Sequence, residues 1–205
     1  MGRIKSALEI ALERTETVKS DKASIGQFDA KQRGKKLANA YLAEGGVPSG
    51  TLPVGSSIAE EIKKTPADQR ESLKQGIFDV LVSQISLPLI KEDEKRIEAA
   101  GKGLQAVISD SRFAALYKQL TQALSQYLKE AAQYDEAIRR QYAPKLRQKE
   151  EELSRRMGRE VRIDPFQDPE FAGFYNQNMN ALKDNYQAAV DQVKEEARRM
   201  FEENK

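Results

Sequence analysis

Two residue types that this chain lacks narrow its chemistry first. Its 205 residues include no His and no Cys. Without imidazole no side chain has an ordinary pKa near neutrality, which removes Ser-His-Asp triads, histidine acid–base work and imidazole metal sites. Without thiols, disulfides, thiolate nucleophiles and cysteine zinc sites go as well. Carboxylate, Lys, Tyr and Ser chemistry remains. The chain therefore reads as a non-enzyme, with no catalytic, cofactor-binding or metal-ligating residue assigned and no cofactor expected.

Among the carboxylates, Glu150-Glu151-Glu152 and Glu195-Glu196 are runs that could offer oxygen to a hard cation. Consecutive helical residues point in different directions, and Arg147, Lys149, Arg155 and Arg198 stand nearby to pair with them, so a salt-bridged surface is the reading. Two basic runs point elsewhere. KQRGKK (31–36) and RRQYAPKLRQK (139–149), the second with Tyr142 interleaved, have the residue types that follow a phosphate backbone and stack a base. Arg139, Arg140, Lys145 and Arg147 are the nucleic-acid candidates. Against them, 34 Lys+Arg nearly cancel 32 Asp+Glu, so no global field supports that partner, and it is the alternative.

The third chemical feature is aromatic. REVRIDPFQDPEF (159–171) carries two Asp-Pro pairs and two Phe between stretches that otherwise read as helix, and Phe174 follows closely. A phenyl ring exposed there would anchor a protein partner, which makes Phe166, Phe171 and Phe174 the partner-binding candidates. If the rings pack on Leu153 and Met157 the loop is a hinge clamp. Finally, GGVPSGTLPVGSS (45–57) is the stretch richest in Gly, Pro and small residues. It lacks the spacing of a phosphate loop. It reads as a linker, with a small-ligand pocket beside it as the third functional reading.

The elements that must position these residues are all helical. Residues 3–19 place Ile4, Ala7, Leu8, Ala11 and Leu12 on one side, and a second helix is expected over 29–44 after a break around Ser24 to Gln27. Ser57 and Glu60 suggest a capping box for a short helix to Lys64, and Thr65 with Pro66 suggests the start of a helix to about 86. Its wide apolar face includes Leu73, Ile77, Val80, Leu81 and Ile85. Another helix is expected over 89–108.

From Asp110, a cap, the pattern lengthens. Phe113, Tyr117, Leu120, Leu124, Tyr127, Ala131, Tyr134 and Ile138 alternate by four and three, then stutter through Tyr142, Leu146, Leu153 and Met157. Pro144 should kink this helix and Gly158 should end it. Asp168-Pro169-Glu170 starts a last helix with Tyr175, Met179, Leu182, Tyr186, Ala189, Val193, Ala197 and Met200 at the same spacing.

The opening segment KSALEIALERTE (5–16) resembles the start of a group of bacterial proteins of unknown function, a resemblance that implies no activity. The paired seams resemble, in architecture only, stalk and adaptor subunits built of long antiparallel helices.

The expected fold is all-α: a compact helical head over 1–110 and a long antiparallel two-helix, coiled-coil-like hairpin over 111–205, with a tip loop at 158–168. Surplus seam would meet a protein partner or a second copy, most simply in a homodimer. No apolar run approaches the roughly 20 residues of a membrane span, and the N-terminus lacks a secretory pattern, so the expected compartment is the cytoplasm. The leading functional reading is a helical interaction or scaffold protein.

Overall fold

The computed structural model describes residues 7–43 and 58–204, with side chains from residue 24 onward. The described residues form α-helices and one short 3-10 turn: α1 (Ala7–Ala43), α2 (Ile58–Lys64), α3 (Ala67–Ser83), α4 (Lys91–Val107), α5 (Ser111–Met157), the 3-10 turn Pro165–Gln167, and α6 (Pro169–Glu203). The all-α expectation holds. The loop at 45–57 lies outside the described residues, as do the side chains of the KSALEIALERTE segment.

The N-terminal half departs from expectation in one large respect. No break occurs between Ser24 and Gln27; α1 runs through them as one helix of 37 residues. A helix-interior Gly such as Gly26 costs only about 1 kcal/mol relative to Ala, which tertiary packing readily offsets. That packing lies on α3. Gly34 of α1 and Gly76 of α3 face each other's backbones so closely that a methyl on Gly34 would overlap the Leu73 carbonyl, and one on Gly76 the Lys31 carbonyl. Ala30 and Ala38, one turn to either side of Gly34, are fully or almost fully buried.

Two compact units emerge. The first gathers the described residues up to Ile85 with Arg96–Ala114 and the chain from Ala197 on. Its core is filled by Leu37 and Tyr41 of α1, Ile58 and Ile62 of α2, Leu73, Ile77, Phe78 and Leu81 of α3, and Ala100, Leu104 and Val107 of α4. Phe78 stacks on Phe201 with centroids 4.3 Å apart. Gly103 marks where four helices converge: a Cβ there would lie 2.7 Å from Leu81 Cδ1, 3.1 Å from Tyr41 Cε1 and 3.3 Å from Ile58 Cδ1.

At the α2–α3 elbow, Thr65 does not act as the cap its type suggests. Pro66 takes the N-cap position without a side-chain bond, one residue before the expected place for Pro. The Thr65 hydroxyl instead turns back, donating to the Glu61 carbonyl at 2.7 Å and accepting from Arg33 of α1. Arg70 donates to the Thr65 carbonyl at 3.2 Å. A buried hydroxyl goes where its bonds are complete, and here the α2 C-terminus and Arg33 supply them.

The second unit comprises Ser86–Lys95 and Ala115–Glu196. The α4 helix starts at Lys91, two residues later than expected, because Asp93 accepts the backbone N–H groups of Leu89 (2.8 Å) and Ile90 (3.1 Å) and closes a cap there. Along α5 and α6, Tyr127 meets Tyr186 at 5.2 Å and Tyr142 meets Phe171 at 5.2 Å. Each step toward the C-terminus of α5 is met by a step toward the N-terminus of α6. The seam residues Tyr117, Leu120, Leu124, Tyr127, Ile138, Tyr142, Met179, Leu182 and Val193 are buried. Three others are corrected: Tyr134, Leu153 and Met157 are exposed. Val190, absent from the expected seam, is fully buried. Pro144 lies inside α5 without ending it.

Candidate functional site

The aromatic loop between α5 and α6 is built by local rules that its sequence states plainly. Gly158, at φ 64°, takes the left-handed conformation that terminates α5. Each Asp-Pro pair then begins a helical turn. Asp164 accepts from Phe166 N at 3.1 Å and opens the 3-10 turn; Asp168 accepts from Glu170 N at 2.9 Å and Phe171 N at 3.4 Å and opens α6. Pro loses nothing at these positions, since its missing N–H would have been unpaired. Between Gly158 and Asp164 the backbone is tied down to α5: Val161 N donates to Ser154 Oγ and Ile163 N to Glu150 Oε1, both at 2.9 Å.

This frame fixes the three Phe candidates differently. Phe171 is 1% exposed, packed with Ile138, Tyr142 and Met179, so it is a core residue and not a surface a partner meets. Phe174 is partly buried against the same cluster. Phe166 is 46% exposed. Leu153 and Met157, the expected clamp partners, are themselves among the exposed large apolar side chains. The Phe166 ring contacts Phe171 (5.3 Å) and Tyr175 (5.0 Å) in edge-to-face geometry, the arrangement aromatic quadrupoles favour.

One of the nucleic-acid candidates belongs to the same construction. Arg139 places its guanidinium 5.2 Å from the Phe166 centroid and is bonded to Asp135 at 2.9 Å. Asp135 also lies near enough to the Tyr175 hydroxyl to influence its titration. The Arg139 bond holds the Asp135 carboxyl below its ordinary range against the opposing effect of burial, and burial followed by Asp135 raises the Tyr175 hydroxyl. Both groups therefore keep their neutral-pH charge states: Asp135 anionic, Tyr175 protonated.

A second ionic group sits beside Tyr142. Lys149 Nζ reaches Asp168 Oδ2 (2.6 Å), Glu170 Oε2 (3.1 Å) and the Tyr142 hydroxyl (3.4 Å). Lys145 pairs with Glu170 on its other oxygen, and both ammonium groups lie over the Tyr142 ring, 5.6 and 5.8 Å from its centroid. Hydrogen bonding to Asp168 raises Lys149 well above its ordinary value, and Lys149 in turn lowers Asp168.

The proposed phosphate-binding residues are thus divided. Arg139 and Lys145 are engaged with acids and rings. Arg140 is exposed beside Gln133, Glu136 and Gln141, and Arg147 lines an open groove with Glu150, Glu151, Ser154, Arg155, Glu160 and Arg162. Acids accompany the cations throughout. The run Glu150-Glu151-Glu152 is split by role: Glu150 holds Ile163 N, and Glu151 pairs with Arg155 at 3.7 Å. Among the described residues no acidic group of three or more is placed to hold a metal ion. No described helix is long and apolar enough to cross a membrane.

Sequence reasoning missed the part of Arg139 in the Phe166 support. The signal available was Asp135 and Arg139 at i, i+4 beside the seam residue Ile138; the 27-residue separation from Phe166 concealed the rest.

A family model described as "Family of unknown function (DUF6657)" matches residues 59–199, more than half of the chain. The matched stretch does not include the KSALEIALERTE segment. No curated protein and no solved structure matches.

Proposed function

The chain belongs to this family of unknown function, DUF6657, and we propose that it is a non-enzymatic, cytoplasmic interaction protein whose contact point is Phe166. The observation that carries the reading is the manner in which the ring is held. An apolar side chain 46% exposed would ordinarily be free to reorient. This one is braced by Phe171 and Tyr175, covered on part of its surface by Arg139, and mounted on a loop with two Asp caps and two ties to α5. An aromatic ring with an adjacent Arg on a pre-organised backbone is the composition that dominates binding energy at protein interfaces, because little rotamer entropy is lost on docking.

The lack of His and Cys supports the non-enzymatic part of the reading. Self-association through helical seams, the homodimer included, has less to work with than the spacing suggested, since most of the described seam side chains are already buried in the single chain. Nucleic-acid binding is weakened in the same way by the acids that pair with Arg139 and Lys145.

The test uses the whole chain as bait beside its Phe166→Ala form. A partner recovered by both is purified and its affinity for each is measured. Loss of an anchor costs 2 kcal/mol or more, roughly 30-fold in affinity. Equal affinities for the two baits would sink the proposal, and light scattering of each alone reports on self-association.

A further inference from the structure

Both bonds that Arg139 makes to Asp135 leave from Nε, at 3.1 Å to Oδ1 and 2.9 Å to Oδ2. Its terminal nitrogens donate to no described residue, and the side chain is 45% exposed. They form the end of a planar fork whose N–H groups are fixed in direction, so they define where an acceptor must stand. The fork lies beside Phe166, with the guanidinium carbon 5.2 Å from the ring centroid. An extended chain advances roughly 3.3 Å per residue, so a residue or two of a peptide reach from the ring to the fork.

The charges nearby decide what kind of acceptor fits. A guanidinium without an acid of its own would call for a carboxylate. This one has its acid: Asp135 bonds it, and Asp164 acts on it through space. Elsewhere in the aromatic cluster Lys145 is matched by Glu170 and Lys149 by Asp168. A further carboxylate at Arg139 would be repelled by those of Asp135 and Asp164, whereas a main-chain carbonyl brings an acceptor without a net charge. Resting on the reading of Phe166 as the contact point, we propose that the partner is an extended peptide segment, uncharged where it docks, that lays an apolar side chain on Phe166 and offers a main-chain carbonyl to the Arg139 fork. Main-chain bonds then supply affinity, and the ring selects the side chain, the division by which extended peptides are read.

Random peptides displayed on phage and selected on the full chain are the probe, with those that bind Phe166→Ala equally well discarded. The sequences kept should be rich in apolar residues and not in Asp or Glu. Synthetic copies should change affinity by less than about 2-fold between roughly 0.05 and 0.5 M salt, since no ion pair forms across the contact. Arg139→Lys keeps the charge and loses the fork, and should weaken them roughly 10-fold. Peptide amides are then replaced one at a time by esters, whose carbonyls are weaker acceptors. One position should cost the wild-type complex several-fold and the Arg139→Lys complex nothing further; a merely structural part for Arg139 would leave the two effects additive. Acid-rich peptides with steeply salt-dependent affinity, binding unchanged in Arg139→Lys, or no ester position coupled to Arg139 would each overturn the proposal and leave Phe166 as the contact point. A selection in which every peptide binds Phe166→Ala equally well sinks both.

Discussion

Lys149 Nζ and Asp168 Oδ2 stand 2.6 Å apart, joining the C-terminal part of α5 to the residue that caps α6. The Asp168 carboxylate therefore does two jobs: one oxygen accepts the Glu170 and Phe171 N–H groups, and the other meets the ammonium. The side chain is 4% exposed. A charge so placed ties loop geometry to protonation.

The pH dependence has a definite sign. Asp168, Glu170, Asp135 and Asp79 all titrate below their ordinary ranges, so their contributions are complete above the unfolded-state carboxyl values of about 4 and are lost as pH falls through the lower folded values. Lys149 is raised, so its share is complete below about 10.4 and lost as pH climbs through the folded value. No His titrates between. Thermal melts should give a flat melting temperature from pH 5.5 to 9 and a steep decline below pH 4. Asp168→Asn should lower the plateau and converge with wild type at pH 2. A broad change centred near pH 6.5 would contradict this account.

Glycines in this protein should respond to Ala in opposite directions. Gly34→Ala drives a methyl into the Leu73 carbonyl and should cost at least about 1–3 kcal/mol in urea unfolding. Gly173 lies inside α6 with nothing within 4 Å of a built Cβ. There Ala should stabilise by about 0.5–1 kcal/mol, by restricting the unfolded chain. Equal effects at the two sites would refute the close α1–α3 crossing.

Phe171 and Phe166 separate structure from recognition. Truncating buried Phe171 to Ala should cost about 3–5 kcal/mol. Phe166→Ala, at a half-exposed ring, should cost a small fraction of that while lowering partner affinity roughly 30-fold. Chemical denaturation of both variants, paired with the affinity measurement, gives the comparison.

The tie at Ser154 is a local test of loop rigidity. Ser154→Ala removes the acceptor for Val161 N and should weaken the loop by about 0.5–1.5 kcal/mol. Hydrogen exchange should show Val161 exchanging faster by a corresponding factor of a few, with core amides of α3 unchanged.

The loop between α5 and α6 was the most legible part of the sequence, because Gly158, Asp164-Pro165 and Asp168-Pro169 act through backbone geometry over three or four residues. The Ser24 to Gln27 region was misleading for the converse reason. Ser and Gly there weaken a helix locally, but the favourable free energy comes from α3, whose partner residues are some forty positions away. Likewise KQRGKK reads as a basic run, while its Gly34 matters for the close approach it permits. The small-residue spacing Ala30, Gly34, Ala38 was present as a signal, but a stripe without large apolar side chains resembles a solvated face.

The sequence by itself determined that this is an all-helical chain without imidazole or thiol chemistry, where α5 and α6 meet their caps, and which aromatic residues merit attention. Those properties follow from residue type and short-range backbone rules. Only tertiary structure decided that Phe171 is core while Phe166 faces outward, that Arg139 supports a ring 27 residues away, and that α1 closes on α3 through two glycines. Each depends on atoms brought together across long separations, where packing and burial select among side-chain placements that the local sequence leaves equally open.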